Sequence, residues 1–357
     1  MLKLYYKFNF ATEPYYPTKQ ELQLFQSENQ KELKQQYSLL KEMPIQFALG
    51  TSQQYGMDAE FREMMREMEE RYRNTGEEMF YHLSSRMKSV ASLDDELYEE
   101  FCDNKNSLYN WFPKLKQAID QQDFFKVPKT KVERLPVELA QFIRLDYQDT
   151  TQESREIFNQ IIFKLLELEE DKTYFIKTGT FSSKFQYHNA RCTEPLEMGE
   201  YFQVVNNFAM EVGAGMSVDI VAREYIEDVE ESPTIYNGMP LRTEYRTFVN
   251  FDTNEVIGTA PYWHPVLLKN HLKRMSDEQM RRDYLTYLSQ EEKLNYEYNK
   301  YVNKLQKEIS KLIENIDLEG QYSIDIMKNG EDFYIIDMAL MSDSALTEFI
   351  NTEGFVK

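Results

Sequence analysis

Hydrophobic positions along this chain follow two rhythms, and the change between them falls near Lys126. From Thr18 to about Ala118 the spacing is mostly helical. It is clearest in GMDAEFREMMREMEERYRN, where Met57, Phe61, Met64, Met65, Met68 and Tyr72 fall on one face of an amphipathic helix. A methionine stripe either fills a core or lines an adaptable binding groove, and core is the expectation here. After Lys126, short runs rich in β-branched and aromatic residues alternate with helical stretches. TYFIK, VDIVAREYI, TEYRTFVNF, EVIGTAPY, QYSIDIM and DFYIIDM predict strands, each bounded by Gly, Asn, Asp or Pro. SREIFNQIIFKLLELE, LEMGEYFQVVNNFAM and EEKLNYEYNKYVNKLQKEISKLIENI predict helices. In the last of these Leu294, Tyr298, Tyr301, Val302, Leu305, Ile309, Leu312 and Ile313 make one apolar stripe, and Gly320 follows as a stop signal. The fold class is therefore α+β, with a mostly helical subdomain or cap over residues 1–120 and an α+β domain over 121–357.

Composition narrows the function classes. The chain has 357 residues, 41% of them hydrophobic and 14% aromatic, enough for a substantial core. It contains no run of about 18 apolar residues, and its start, MLKLYYKFNFATEPYY, lacks the pattern of a signal peptide. A cytoplasmic protein with no membrane partner is expected. A formal charge of −20 argues against a nucleic-acid partner, because a phosphate backbone would be repelled, and leaves solubility or a basic partner as its meaning. Cys102 and Cys192 stand far apart without a CxxC spacing, and His82, His188, His264 and His271 form no metal-binding pattern.

Two sets of charged residues inside predicted strands carry the candidate chemistry. QYSIDIMKNGEDFYIIDMAL reads as a hairpin around Asn329-Gly330, with Asp325 in one strand and Asp337 in the other. With an odd loop, Met327 faces Phe333, Asp325 faces Ile335, and Asp337 lies on the same face about 7 Å further along. With a two-residue loop the register shifts by one and the aspartates point to opposite faces. A carboxylate in an apolar strand needs a cation: either Mg²⁺, which takes one or two carboxylates and keeps waters and phosphates, or a neighbouring arginine. The second set is Lys177, Arg223 and Arg246. Charges in half-buried strands need partners, and the oxygens of a triphosphate suit them. Between Lys177 and Lys184 lies TGTFSS, where Gly179, Thr180, Ser182 and Ser183 offer a flexible phosphate-closing loop or a plain polar turn.

The order of these features resembles the ATP-grasp superfamily: a strand lysine, a polar glycine loop, a helix, a strand with REYIE, a strand with EYR, a long helix and two aspartate strands. That resemblance implies two lobes, 121–226 and 227–357, clamping ATP. It implies Lys177 as the strand lysine, Tyr225 and Ile226 as the adenine-lining segment, and Asp325 and Asp337 as Mg²⁺ ligands. Within the superfamily the chain is similar to the cell-division-cycle family of ATP-grasp-like assembly chaperones and to related phage and bacterial proteins. This likeness rests on LYNWFPKLKQAI, VERLPVEL, FIKTGTFSSK, AREYI, TEYRTFVN and IIDMALMSDSALTEF, roughly residues 108 to 350. It adds Lys184, Arg223 and Arg246 as nucleotide contacts, with Arg246 as the catalytic residue. Where the family has an acidic residue, any residue, then Asn on the last strand, this chain has Asp337-Met338-Ala339, so the second metal position is lost, borrowed from Asp343 or water, or unneeded.

Three functions remain. The first is an ATP-dependent ligase that joins a carboxylate and an amine through an acyl-phosphate. The second is a non-catalytic ATP-binding assembly or interaction protein with a protein partner. The third makes Lys177 a nucleotidyltransferase nucleophile, but its KTG triplet departs from the KxDG signature. Trp263 and His264 in TAPYWHPVLLKN either line an acceptor pocket or serve packing and surface, the second being expected.

Overall fold

The computed structural model describes residues 58–91, 93–145, 150–273 and 278–350. Helices α1 (Asp58–Thr75), α2 (Glu78–Val90), α3 (Asp95–Cys102) and α4 (Leu108–Ile119) come first, then β1 (Phe125–Lys126) and β2 (Thr130–Arg134). Helices α5 (Val137–Ile143) and α6 (Gln152–Leu165) lead to β3 (Tyr174–Thr178) and β4 (Arg191–Cys192). After α7 (Met198–Glu211) run β5 (Asp219–Glu224) and the short pair β6 (Thr234–Ile235) and β7 (Met239–Pro240). Then follow β8 (Glu244–Asn250), β9 (Glu255–Pro261), α8 (Pro265–Lys273), α9 (Glu278–Ile313), β10 (Gln321–Asn329) and β11 (Asp332–Leu340). The fold is α+β, and all six predicted strands form.

The chain divides into two compact units. Unit 1 holds the described residues up to Ser107 together with Lys131–Ser183 and Asn189–Tyr225; unit 2 holds Leu108–Thr130, Lys184–His188 and the residues from Ile226 onward. In unit 1 a four-stranded sheet runs in the order β2-β5-β3-β4, and α6 and α7 pack on each other beside it. Their apolar faces bury Phe158, Ile161, Ile162, Phe202 and Val205 with Ile176 and Ile220 of the sheet. The predicted methionine stripe is only partly core: Met65 is buried in this cluster, while Met64 and Tyr72 are exposed. Met57 and the side chain of Phe61 lie outside the described residues. Among the described residues α1 packs mainly along α2.

In unit 2 a five-stranded sheet runs in the order β1-β11-β10-β8-β9, antiparallel except for the parallel pair of β1 with β11. Helix α9 packs on β8 and β9 and begins well before the predicted stretch, at Glu278. Leu294, Leu305, Ile309, Leu312 and Ile313 of its stripe are buried, and the Tyr298 ring stacks on Tyr245 of β8 at 5.6 Å. Gly320 takes φ +88°, the left-handed conformation that ends the approach to β10. Part of TAPYWHPVLLKN, read as a loop, is the helix α8.

Gly258 on β9 is dictated by close approach: a Cβ there would overlap the Ile350 side chain, which caps Phe248, Ala260 and Met341. Gly258→Ala is expected to cost about 1–3 kcal/mol and lower the melting temperature by several degrees. In an Ile350→Ala background the same substitution should cost little, because the methyl has been removed. Equal costs in both backgrounds, measured by thermal unfolding, would overturn this account.

Candidate functional site

In unit 1, β3 and β5 pair so that Lys177 opposes Val221 and Phe175 opposes Arg223. Residues two apart on a strand share a face, so Lys177 and Arg223 lie on the same side of the sheet. Both are buried. Asp219 belongs to that side as well, because the Gly179 N–H donates to the Asp219 carbonyl at 2.9 Å and extends the ladder by one step. The Asp219 carboxylate is buried, receives Arg134 Nε at 2.9 Å and is hydrogen-bonded by the Ser107 hydroxyl. Burial raises its pKa, and the bonds from Arg134 and Ser107 oppose that rise.

The segment after Lys177 is a turn tied by its own hydrogen bonds. The Thr178 N–H donates to the Phe181 carbonyl at 2.9 Å, the Phe181 N–H returns to Thr178 Oγ1 at 3.0 Å, and Thr180 Oγ1 bonds the Ala214 carbonyl at 3.0 Å. A Cβ on Gly179 would overlap the hydroxyls of Ser107 and Ser217. Glycine is therefore required by packing at this point, whatever it offers a ligand. Ser182 is half-buried, and Ser183 is fully buried with its Oγ lacking a hydrogen-bond partner among the described residues. Tyr225 donates its N–H to the Thr173 carbonyl at 2.9 Å, and Arg191 lies over its ring at 4.8 Å.

In unit 2 the last hairpin differs from both expected registers. Asn329 pairs with Asp332, so the loop is the two-residue Gly330-Glu331, with Gly330 at φ +61° where a II′-type turn requires positive φ. Met327 consequently faces Tyr334, and neither Met327 opposite Phe333 nor Asp325 opposite Ile335 occurs. That loop alone would send the two aspartates to opposite faces. A β-bulge then intervenes, since Ile326 pairs with Ile335 but Asp325 pairs with Asp337, leaving Ile336 as the extra residue. The bulge restores the face, and the two carboxylates stand directly across from one another.

On the other side of β10, Asp325 pairs with Arg246 of β8. The guanidinium forks onto the carboxylate, with Nε to Oδ1 and Nη2 to Oδ2 both at 2.7 Å. Asp325 is 4% exposed. The arginine alternative for this aspartate is therefore realised. Asp337 accepts the N–H of Met338 at 3.0 Å. Glu244 lies two residues before Arg246 and so on the same face; it is buried, and burial pushes its carboxyl up to about 7, with Asp325 adding and Lys184 opposing. Lys184 completes the group: its Nζ sits 3.8 Å from the centre of the Tyr262 ring, which also carries Arg246 Cζ at 4.8 Å. Burial lowers the Lys184 pKa, while Glu244, Asp325 and Asp337 draw it back up.

The remaining positions fill in the surroundings. The Ile226 carbonyl accepts Arg242 Nη2 at 2.8 Å, and Arg242 pairs with Asp228. Ala339 stands opposite Ser323, whose hydroxyl bonds Ser344 at 2.8 Å, so no side-chain oxygen comes from Ala339. Asp343 is exposed in the turn Met341–Asp343. Trp263 is buried and donates Nε1 to the Arg242 carbonyl at 3.0 Å, and His264 stacks on Phe349. Both are packing roles.

As for a metal, no cluster of three or more His, Cys, Asp or Glu suited to one occurs among the described residues. The pair Asp325 and Asp337 still has the right chemistry: each carboxylate oxygen bonded by Arg246 keeps a lone pair, and Mg²⁺ needs only one or two carboxylates beside water and phosphate. Sequence reasoning missed Glu244, Tyr262 and Asp219. For Glu244 the signal was present, since the alternation in TEYRTF places it with Arg246.

The raised Glu244 pKa favours the protonated carboxyl in the folded chain. Its stabilising contribution is thus complete below the ordinary value near 4.5 and is lost as pH rises through about 7. Relative to wild type, Glu244→Gln should become more stable by roughly 3 kcal/mol between pH 4.5 and 8. Unfolding curves that stay parallel over this range would refute the assignment.

No protein-family model matches the sequence, and no curated protein matches it. Among solved structures the chain is similar to Cdc123 from Schizosaccharomyces pombe, 14% identical, over 70% of this chain and 92% of that one, with a TM-score of 0.43. It is similar to D-alanine–D-alanine ligase from Bacillus anthracis complexed with ATP, 8% identical, over 63% and 51% of the two chains, at 0.28. A RimK-domain ATP-grasp protein from Sphaerobacter thermophilus is 11% identical over 73% and 62%, at 0.30. With all three TM-scores below 0.5, the functional reading rests on the residues described above. In fold the chain is similar to Cdc123 and to ATP-grasp ligases, the group its motifs resemble.

Proposed function

We propose that this chain binds ATP with Mg²⁺. The observation that carries the reading is the convergence of Lys184, Glu244, Arg246, Asp325 and Asp337 on one face of the unit 2 sheet. Acidic and basic groups side by side suit a metal–polyphosphate, which brings both signs of charge. Asp325 and Asp337 are the residues that would hold Mg²⁺, which when bound neutralises charge on the phosphates. Lys177, Gly179, Ser182, Ser183, Lys184 and Arg223 are the proposed phosphate contacts, and Tyr225 and Ile226 the adenine-lining pair. The buried Ser183 Oγ supports this, since an acceptor from a ligand would satisfy it.

The reaction proposed is joining of a carboxylate to an amine through an acyl-phosphate. Arg246, fixed in plane by Asp325, is the catalytic residue that offsets charge developing on the transferred phosphoryl group. No covalent nucleophile is needed. A second reading, a nucleotide-binding interaction protein without turnover, is favoured by Ala339, which supplies no metal ligand. A cytoplasmic setting and a carboxylate, amine or protein partner complete the proposal.

Calorimetric titration of ATP into wild type should show binding that Mg²⁺ strengthens, with Asp337→Asn losing about tenfold or more of that Mg²⁺-dependent gain. Lys177→Met should weaken binding by a similar factor. ADP release from the same samples supports the ligase, and tight binding without ADP supports the second reading. An absence of heat and of thermal stabilisation under every metal condition would remove the proposal.

A further inference from the structure

The lysine facing Asp325 and Glu244 is held from several directions within unit 2. Its ammonium lies 3.8 Å from the Tyr262 ring centre and 5.8 Å from that of Trp263. The residue after it, Phe185, packs edge-on against Tyr236 at 5.0 Å, and the Tyr187 N–H donates to the Tyr236 carbonyl at 3.3 Å. Tyr236 is itself fixed. It opens the β6–β7 turn with φ +50°, followed by Asn237 at +64° and Gly238 at +107°, and its N–H is bonded to Asp283 of α9 at 3.0 Å. Tyr262 is aligned by its own N–H on the Glu244 carbonyl at 2.9 Å and by the Trp263 ring at 5.0 Å.

A lysine side chain is long and rotamer-rich, so confining its ammonium to one place costs entropy that must be met before a ligand arrives. An aromatic face attracts the ammonium without neutralising it, whereas an ion pair would compete with a ligand's oxygens. We infer that Tyr262, with Phe185 seated on Tyr236, is a positioning bracket that holds the Lys184 ammonium over the Asp325–Glu244 face in readiness for a nucleotide phosphate. The inference rests on the proposed ATP binding and adds the residues that make Lys184 effective. Phe185 acts through Lys184, whereas the Tyr262 ring carries Arg246 as well as Lys184.

The test is a double-substitution cycle read by titration of ATP with Mg²⁺. Tyr262→Leu should weaken binding about fivefold, while Tyr262→Phe, which keeps the ring, should stay within about twofold of wild type. Phe185→Ala, at a partly exposed position, should weaken binding in the same direction and guards against a folding defect in the leucine variant. In a Lys184→Met background Phe185→Ala should weaken it no further and Tyr262→Leu should cost clearly less than in the wild-type background, its remaining effect passing through Arg246. Wild-type binding combined with losses that are undiminished in the Lys184→Met background would overturn the bracket and leave ATP binding standing. Wild-type affinity in Tyr262→Leu and Phe185→Ala would do the same. A wild type that binds no ATP overturns the function and the bracket together.

Discussion

The ion pair of Arg246 and Asp325 sets the order of the unit 2 face. Asp325 stands on β10 between β11 and β8, where an isolated carboxylate would cost several kcal/mol to bury. The two-point fork of Arg246 meets that cost and fixes the guanidinium plane. Removing one partner would leave the other charged and buried, a loss of about 3–5 kcal/mol. Once this pair is matched, the charge of the face is decided by Lys184, Asp337 and Glu244. Burial holds the last of these well above the ordinary carboxyl range.

How much of this was legible in the sequence follows from which forces are local. Strand alternation and helical spacing depend on neighbours a few residues away, so β3, β5, β8, β9, β10 and β11 could be read directly. The pairing of Asp325 with Asp337 could not. The hairpin combines a two-residue loop with the shared face that an odd loop would give, through a bulge that no residue type at Ile335-Ile336 announces. The partial cover of the methionine stripe among the described residues has a similar cause. Periodicity shows that α1 has an apolar face, but the share of that face that is covered depends on α2 and its packing. Tyr262 had no signal because its role exists only when Lys184, distant in sequence, reaches its ring.

Unit 1 shows the opposite balance between motif and packing. Its KTGTFSS stretch looks like a phosphate loop, yet Gly179 is required by the nearness of Ser107 and Ser217, and the turn is tied at Thr178, Thr180 and Phe181. Asp219, which the sequence reading passed over, connects that turn to Arg134 and Ser107. A glycine beside hydroxyl residues thus has a full explanation in close packing. Close packing of Gly179 leaves it and the neighbouring Ser182 and Ser183 hydroxyls in the proposed phosphate set, with Lys177 and Arg223 on the shared face of the sheet.

The connectivity of unit 2 has a consequence for biosynthesis. Its edge strand β1 and the Lys184–His188 segment leave the ribosome long before the hairpin β10–β11 to which β1 pairs; Lys126 and Asp332, joined by an ion pair, are 206 residues apart. Phe124, which stacks on Phe333 at 5.2 Å, lacks that partner until β11 has been made. Loop closure over such a span is slow, and an unpaired strand edge attracts other chains in the interval. The sheet of unit 2 can therefore close only after β11 has been made, whereas every strand of the unit 1 sheet has been made by Tyr225.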